Sequence, residues 1–117
     1  MKIVVAGGRN KADFLIGSLL EKQHEVIIIN DEESYCVYLS EKYNIPIITG
    51  NPCKRYILEE ADIEDADILI ALRPSDADNL TICQYAKECK GISITWCQYH
   101  DICYLYDIEN HRTSEYD

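Results

Sequence analysis

The sequence predicts an α/β fold of three layers, in which a parallel sheet of about five or six strands lies between two sets of helices. Three observations point there. The short runs "KIVVAG", "HEVIIIN", "IPIITG", "DADILIALR" and "ISITWCQ" are dominated by apolar residues instead of alternating with polar ones, which suits strands buried on both faces. Segments with apolar residues at helical spacing separate these runs, so strand and helix alternate. The connections are short, and parallel strands so joined need right-handed helical crossovers, which makes the sheet doubly wound and Rossmann-like.

The first strand ends in Gly7 and Gly8, and Leu15, Ile16, Leu19 and Leu20 mark a helix over Ala12 to Lys22. The second strand, His24 to Asn30, carries Asn30 and Asp31 at its carboxyl end. "DEESYCVYLSEKYN" reads as a helix with acidic residues in its first turn, where the helix dipole favours them, and with Asn44 as its stop. Tyr35, Val37, Tyr38 and Leu39 give that helix its apolar face. The third strand leaves through Gly50, Asn51 and Pro52 into a short helix bearing Tyr56, Ile57 and Leu58. After the fourth strand comes "SDADNLTICQYAKECKG", a helix with Ser75 or Asp76 as N-cap and Gly91 as stop. Beyond the fifth strand a weak helical pattern spans Ile102 to Ile108, and a polar tail from about residue 109 is expected to fray.

At 117 residues the chain has room for one core, and no linker or repeat divides it, so residues 1–117 are read as a single domain. A hydrophobic content of 47% with 27% charged residues describes a globular protein. Eleven Lys and Arg against 21 Asp and Glu leave a net charge of −10. Such a surface repels phosphate backbones, which argues against nucleic acid as a partner. One small nucleotide remains accessible, because a few backbone amides and a local cation suffice to hold it. No apolar run approaches the roughly 20 residues that span a bilayer, and no signal-type segment opens the chain; the expected location is cytoplasmic.

None of the six cysteines forms a C-x-x-C pair or sits at the spacing of a zinc site, so neither a metal centre nor a disulfide framework is expected. Cys36, Cys83 and Cys97 fall in apolar segments and read as buried, whereas Cys53, after Pro52 in a loop, is the thiol to test for reactivity. His24, His100 and His111 have no partner spacing of a ligand set or triad and read as solvated. "EEADIEDAD" reads as a solvated acidic loop. Trp96, Tyr99, Tyr104 and Tyr106 make the last stretch aromatic, either as core or as a subunit interface.

Doubly wound sheets bind ligands outside the carboxyl ends of their strands, at the point where the winding reverses. The residues placed there are Gly7, Gly8, Arg9 and Asn10 in the first loop, Asn30 and Asp31 after the second strand, Asn51 after the third, and Arg73 after the fourth, with Asn79 in the following helix. Nothing in this set forms an acid–base or nucleophile constellation, and the chain leaves no room for a substrate domain.

The succession "KIVVAGG", "SLLEKQHEVIIIN", "IPIITGN", "EDADILIAL" and "DNLTICQYAKE" resembles the N-terminal RCK domain, also called the TrkA-N or KTN domain, over roughly the first hundred residues. That family comprises cytosolic nucleotide-binding regulators of bacterial potassium channels and transporters. Its first loop reads G-x-G-R-x-G, an acid ends its second strand, and a G-D pair follows its third. Here the loop reads Gly7-Gly8-Arg9-Asn10-Lys11-Ala12, Asn30 stands at the strand-end acid, and the later pair is Gly50-Asn51. The C-terminal lobe of a complete RCK protein is not expected within this length.

The middle glycine of the motif lets the backbone approach a pyrophosphate, and Arg9 in its place has two possible effects. Its side chain either fills the phosphate site or swings over it and pairs with phosphate oxygens. Ala12 is a mild change, and Asn30 keeps an acceptor for a ribose hydroxyl while losing the charge of a carboxylate. The resemblance implies a regulatory domain that binds NAD(H) or ATP/ADP and assembles as a dimer or larger homo-oligomer, or with another RCK protein and a membrane potassium transporter. In the last case it would sit at the inner membrane through that transporter. The alternative is a degenerate scaffold that binds no nucleotide and acts by pairing with itself or with a complete RCK protein.

Overall fold

The computed structural model describes residues 1–88, apart from the side chains of Asn10, Lys11 and Lys87, and the backbone of residues 94–99, 102–107 and 112–116. In chain order the elements are β1 (Lys2–Ala6), α1 (Asn10–Glu21), β2 (Glu25–Asn30), α2 (Glu33–Lys42), β3 (Ile47–Thr49), α3 (Arg55–Glu60), a 3-10 turn (Ile63–Asp65), β4 (Ile68–Ala71), α4 (Asp76–Glu88), β5 (Ile94–Tyr99), β6 (Ile102–Asp107) and β7 (Arg112–Tyr116). The sheet order is β3-β2-β1-β4-β5-β6-β7. β1 pairs in parallel with β2 on one side and β4 on the other, with Val4 between Ile27 and Leu69. The winding reverses at β1, so the switch point lies at its carboxyl end.

Side chains alternate across each strand, and the apolar runs therefore feed two cores. Ile3, Val5, Val26, Ile28 and Ile70 face α1 and α2, packing on Ala12, Ile16 and Leu39. Val4, Ala6, Ile29, Leu69 and Ala71 face α3 and α4, packing on Ile57, Leu58, Ile82 and Ala86. Each fully buried Val, Ile or Leu contributes about 1.5–3 kcal/mol relative to exposure, so both faces of β1 bind their helices firmly. Cys83 is buried in the second of these cores and Cys36 is buried as well, as expected.

α1 closes in a Schellman motif: His24 N–H donates to Leu19 O (3.2 Å) and Gln23 N–H to Leu20 O (3.0 Å). Gln23 adopts the left-handed conformation this requires, at φ 63°. At the start of α4, Ser75 serves as N-cap, its Oγ accepting from Asp78 N–H at 3.4 Å.

Two sequence expectations are corrected beyond β5. The helical pattern at Ile102 is strand β6, antiparallel to β5 with Tyr99 opposite Ile102. Within the stretch read as a fraying tail, Arg112–Tyr116 is strand β7, antiparallel to β6. "ICYLYD" is rich in aromatic and β-branched residues, and over six residues helical and strand periodicity are hard to separate. The neighbouring β5 supplies the ladder. Among the described residues the sheet thus has seven strands, five parallel and two added by the antiparallel ribbon. Gly91, His100, His111 and the side chains of Trp96, Cys97, Tyr99, Tyr104 and Tyr106 lie outside the described residues. No helix among the described residues is long and apolar enough to cross a membrane.

Candidate functional site

The carboxyl ends of β1, β2 and β4 lie side by side at the switch point, where doubly wound sheets form their ligand crevice. Gly7 and Gly8 leave β1 with φ of +85° and +91°, values that side chains other than hydrogen rarely tolerate. Space adds a second constraint. A Cβ on Gly8 would lie 2.8 Å from the Ala12 Cβ and 3.2 Å from the Leu72 Cβ, and one on Gly7 would lie 2.8 Å from the Arg73 Cδ. The glycine pair therefore lets α1 sit close to β4 and lets Arg73 cross the end of β1. Ala12, at the motif's third small position, is the residue on which Gly8 packs.

The Arg9 side chain faces outward. It is 71% exposed and paired with Glu32. Asn10 follows as the first residue of α1, where helix-end amides lack intrahelical partners.

Asn30 is 3% exposed, and both ends of its amide are engaged. Nδ2 donates to the Gly8 carbonyl at 2.8 Å and Oδ1 accepts from Glu32 N–H at 3.0 Å. This side chain ties the first loop to the β2–α2 turn. A carboxylate could not donate to Gly8, so the amide fits this position. Asp31 projects beside it and pairs with Arg73 Nη1 at 2.8 Å.

Arg73 is the more buried of the two arginines beside the glycine turn. Its stem lies against Gly7, its side chain is 15% exposed, and its guanidinium meets Asp31 after β2 and Asp78 in α4 (3.3 Å). Burial opposes its charge, but the two carboxylates outweigh burial and raise its pKa. Asn79, fully buried, grips the Arg73 main chain at two points: Oδ1 accepts from Arg73 N–H at 2.7 Å and Nδ2 donates to its carbonyl at 2.9 Å. It positions Arg73, whereas the sequence placed it among the ligand contacts. Asn51 forms an Asx turn, accepting from Cys53 N–H at 2.9 Å. Burial and then Asp78 push the Cys53 thiol up, which argues against reactivity in the thiol singled out for that test.

Sequence reasoning missed a second polar group beside the first loop. Asp13 of α1 accepts from Tyr38 (2.9 Å), Tyr43 (3.0 Å) and Lys42 Nζ (3.2 Å) on and after α2. Burial works to raise the Asp13 pKa, but these hydrogen bonds and Lys42 lower it. Tyr35, its pKa pushed up to about 12 by burial and by Asp13, donates to the Arg9 carbonyl at 2.6 Å. The signal available was the spacing of Tyr35, Tyr38 and Lys42 along one side of α2. Among the described residues no group of three or more His, Cys, Asp or Glu could hold a metal.

The chain matches the family model of the TrkA-N domain over residues 3–109. A Trk system potassium uptake protein TrkA homolog of Methanothermobacter thermautotrophicus is 32% identical over 88 residues, 75% of this chain and 41% of the relative. A Trk system potassium uptake protein TrkA of Halomonas elongata is 33% identical over 88 residues, 74% of this chain and 19% of the relative. The chain thus spans less than half the length of these relatives. Solved structures of similar fold include a GsuK channel bound to NAD, with TM-score 0.65 and 24% identity, matched over 74% of this chain and 16% of that one. Another is a Kef CTD of Shewanella denitrificans in AMP bound form, with TM-score 0.63 and 21% identity, matched over 79% of this chain and 55% of that one. With the family model covering most of its length, the chain belongs to the TrkA-N domain family.

Proposed function

We propose that this chain is a regulatory, non-enzymatic domain that binds an adenine nucleotide, NAD(H) or ATP/ADP, and couples it to a potassium channel or transporter. The phosphates lie at the turn Gly7–Gly8–Arg9–Asn10, within reach of Arg73, and the adenosine lies toward the ends of β2 and β3, near Asp31 and Asn51. The observation that carries this reading is that Arg9 is turned out of the hollow toward Glu32, while Arg73 stands across the switch point with its stem on Gly7. Two cations and the amino end of α1 thus border one glycine turn, which is the chemistry a diphosphate needs. The similarity to potassium uptake proteins and to nucleotide-bound structures supports it. Bound nucleotide would act by shifting how subunits pack, with the chain itself, another RCK protein or a membrane transporter as partner, on the cytoplasmic side.

A thermal-shift panel of NAD, NADH, ATP, ADP and AMP tests this. A ligand at 100 times its Kd stabilises by about 2.7 kcal/mol, a rise of roughly 10 °C or more for a domain of this size. A flat panel rejects the reading. The second reading is the non-binding scaffold, and it is favoured by the self-sufficiency of the polar groups: Arg73 is paired with Asp31 and Asp78, and the Asn30 and Asn79 amides are both engaged within the protein.

A further inference from the structure

We infer that Asp31 and Glu32 form an internal competitor for a polyphosphate: each occupies one of the two guanidinium groups beside the glycine turn, and a ligand must displace them to bind. The inference rests on the nucleotide reading above and specifies how that site is regulated. The two acids are consecutive, yet Asp31 reaches Arg73 and Glu32 reaches Arg9. Glu32 is extended, at φ −97° and ψ 108°, and successive side chains on extended backbone point opposite ways. One turn therefore places a carboxylate on each arginine.

Charge makes the competition effective. Three carboxylates, Asp31, Glu32 and Asp78, face two guanidinium groups, so the crevice is net acidic and repels an anion until the turn yields. Arg73 can release Asp31 and still be held to α4 by Asp78 and by the Asn79 grip on its main chain. Arg9, the more exposed of the two, exchanges partners readily. The turn has its own connection to the loop, because Glu32 N–H and the Gly8 carbonyl share the Asn30 amide. Displacing the acids would thus move the turn at which α2 begins, converting phosphate binding into motion of a helix. A ligand with two or more linked phosphates can engage both arginines, whereas a monophosphate can engage only one.

The test is calorimetric titration of the full chain and of D31N/E32Q with inorganic pyrophosphate, ADP, AMP and adenosine at fixed low salt, after melting curves establish that the variant is folded. The expected result is that the variant binds pyrophosphate and ADP about tenfold more tightly, equivalent to ~1.4 kcal/mol, with a smaller gain for AMP and none for adenosine. Unchanged or weaker pyrophosphate and ADP binding overturns the competitor and leaves nucleotide binding standing, with the acids reassigned to holding the ligand. An equal gain for adenosine also overturns it, since general loosening explains that. If neither protein binds any of the four, the competitor falls, and the five-nucleotide thermal-shift panel decides the nucleotide reading separately.

Discussion

The two arginines beside the glycine turn are held in opposite ways. Arg9 is 71% exposed and meets the single carboxylate of Glu32. Arg73 is 15% exposed and meets two carboxylates, with its backbone clamped by a buried asparagine. An exposed pair is worth about 0–1 kcal/mol, since water and salt screen it. A half-buried arginine removed from its partners leaves charges that water compensates only in part. Arg73 is accordingly part of the framework that defines the crevice, and Arg9 is an adaptable arm at its rim.

Breaking the Arg73 side has the largest expected effect. Asn79→Ala leaves the Arg73 N–H and carbonyl without their side-chain partners in a closed site, and a cost of ~3 kcal/mol is expected, read as a lower midpoint in urea unfolding. Asn30→Asp cuts the link between the two loops by setting a carboxylate against the Gly8 carbonyl, at a cost of ~2 kcal/mol at neutral pH. That variant's deficit should shrink on acidification, because the protonated acid can donate again and the folded state then takes up the proton more readily than the unfolded chain. Unfolding midpoints from pH 7 to pH 4 check this; a deficit independent of pH contradicts the assignment of the Asn30 donor.

Asp13→Asn probes the cluster that braces the Arg9 side from behind. The Asp13 pKa is lowered in the folded protein, so its contribution is present above the ordinary aspartate pKa and fades as pH falls through the depressed folded value. The expected loss is ~1 kcal/mol at neutral pH, discounted for partial exposure, and the variant and the natural chain should converge in acid. Glu32→Gln comes last, with an expected change under ~0.5 kcal/mol in stability. A larger loss would show that the Arg9 pair is also part of the framework.

The parallel part of the sheet was legible in the sequence because burial on both faces demands unbroken apolar runs, and "KIVVAG" and "HEVIIIN" meet that demand. The antiparallel ribbon was less so: "ICYLYD" carries no unambiguous period, and only the open edge of β5 makes it a strand. At the site, residues such as Asn30 and Arg73 were found by the rule that strand ends face the crevice. Their partners were not, because Asn30 meets Gly8 and Arg73 meets Asp31 across large separations in the chain.

What the sequence alone determined is the alternation of strand and helix and the set of side chains delivered to the carboxyl ends of the strands, since both follow from local periodicity and the handedness of crossovers; the strand order, and with it the reversal of winding at β1, came from the tertiary structure. The tertiary structure alone decided which polar groups meet. Which carbonyl an asparagine meets and which carboxylate pairs with an arginine depend on distances of a few ångströms between segments far apart in the chain, and such distances leave no trace in local pattern.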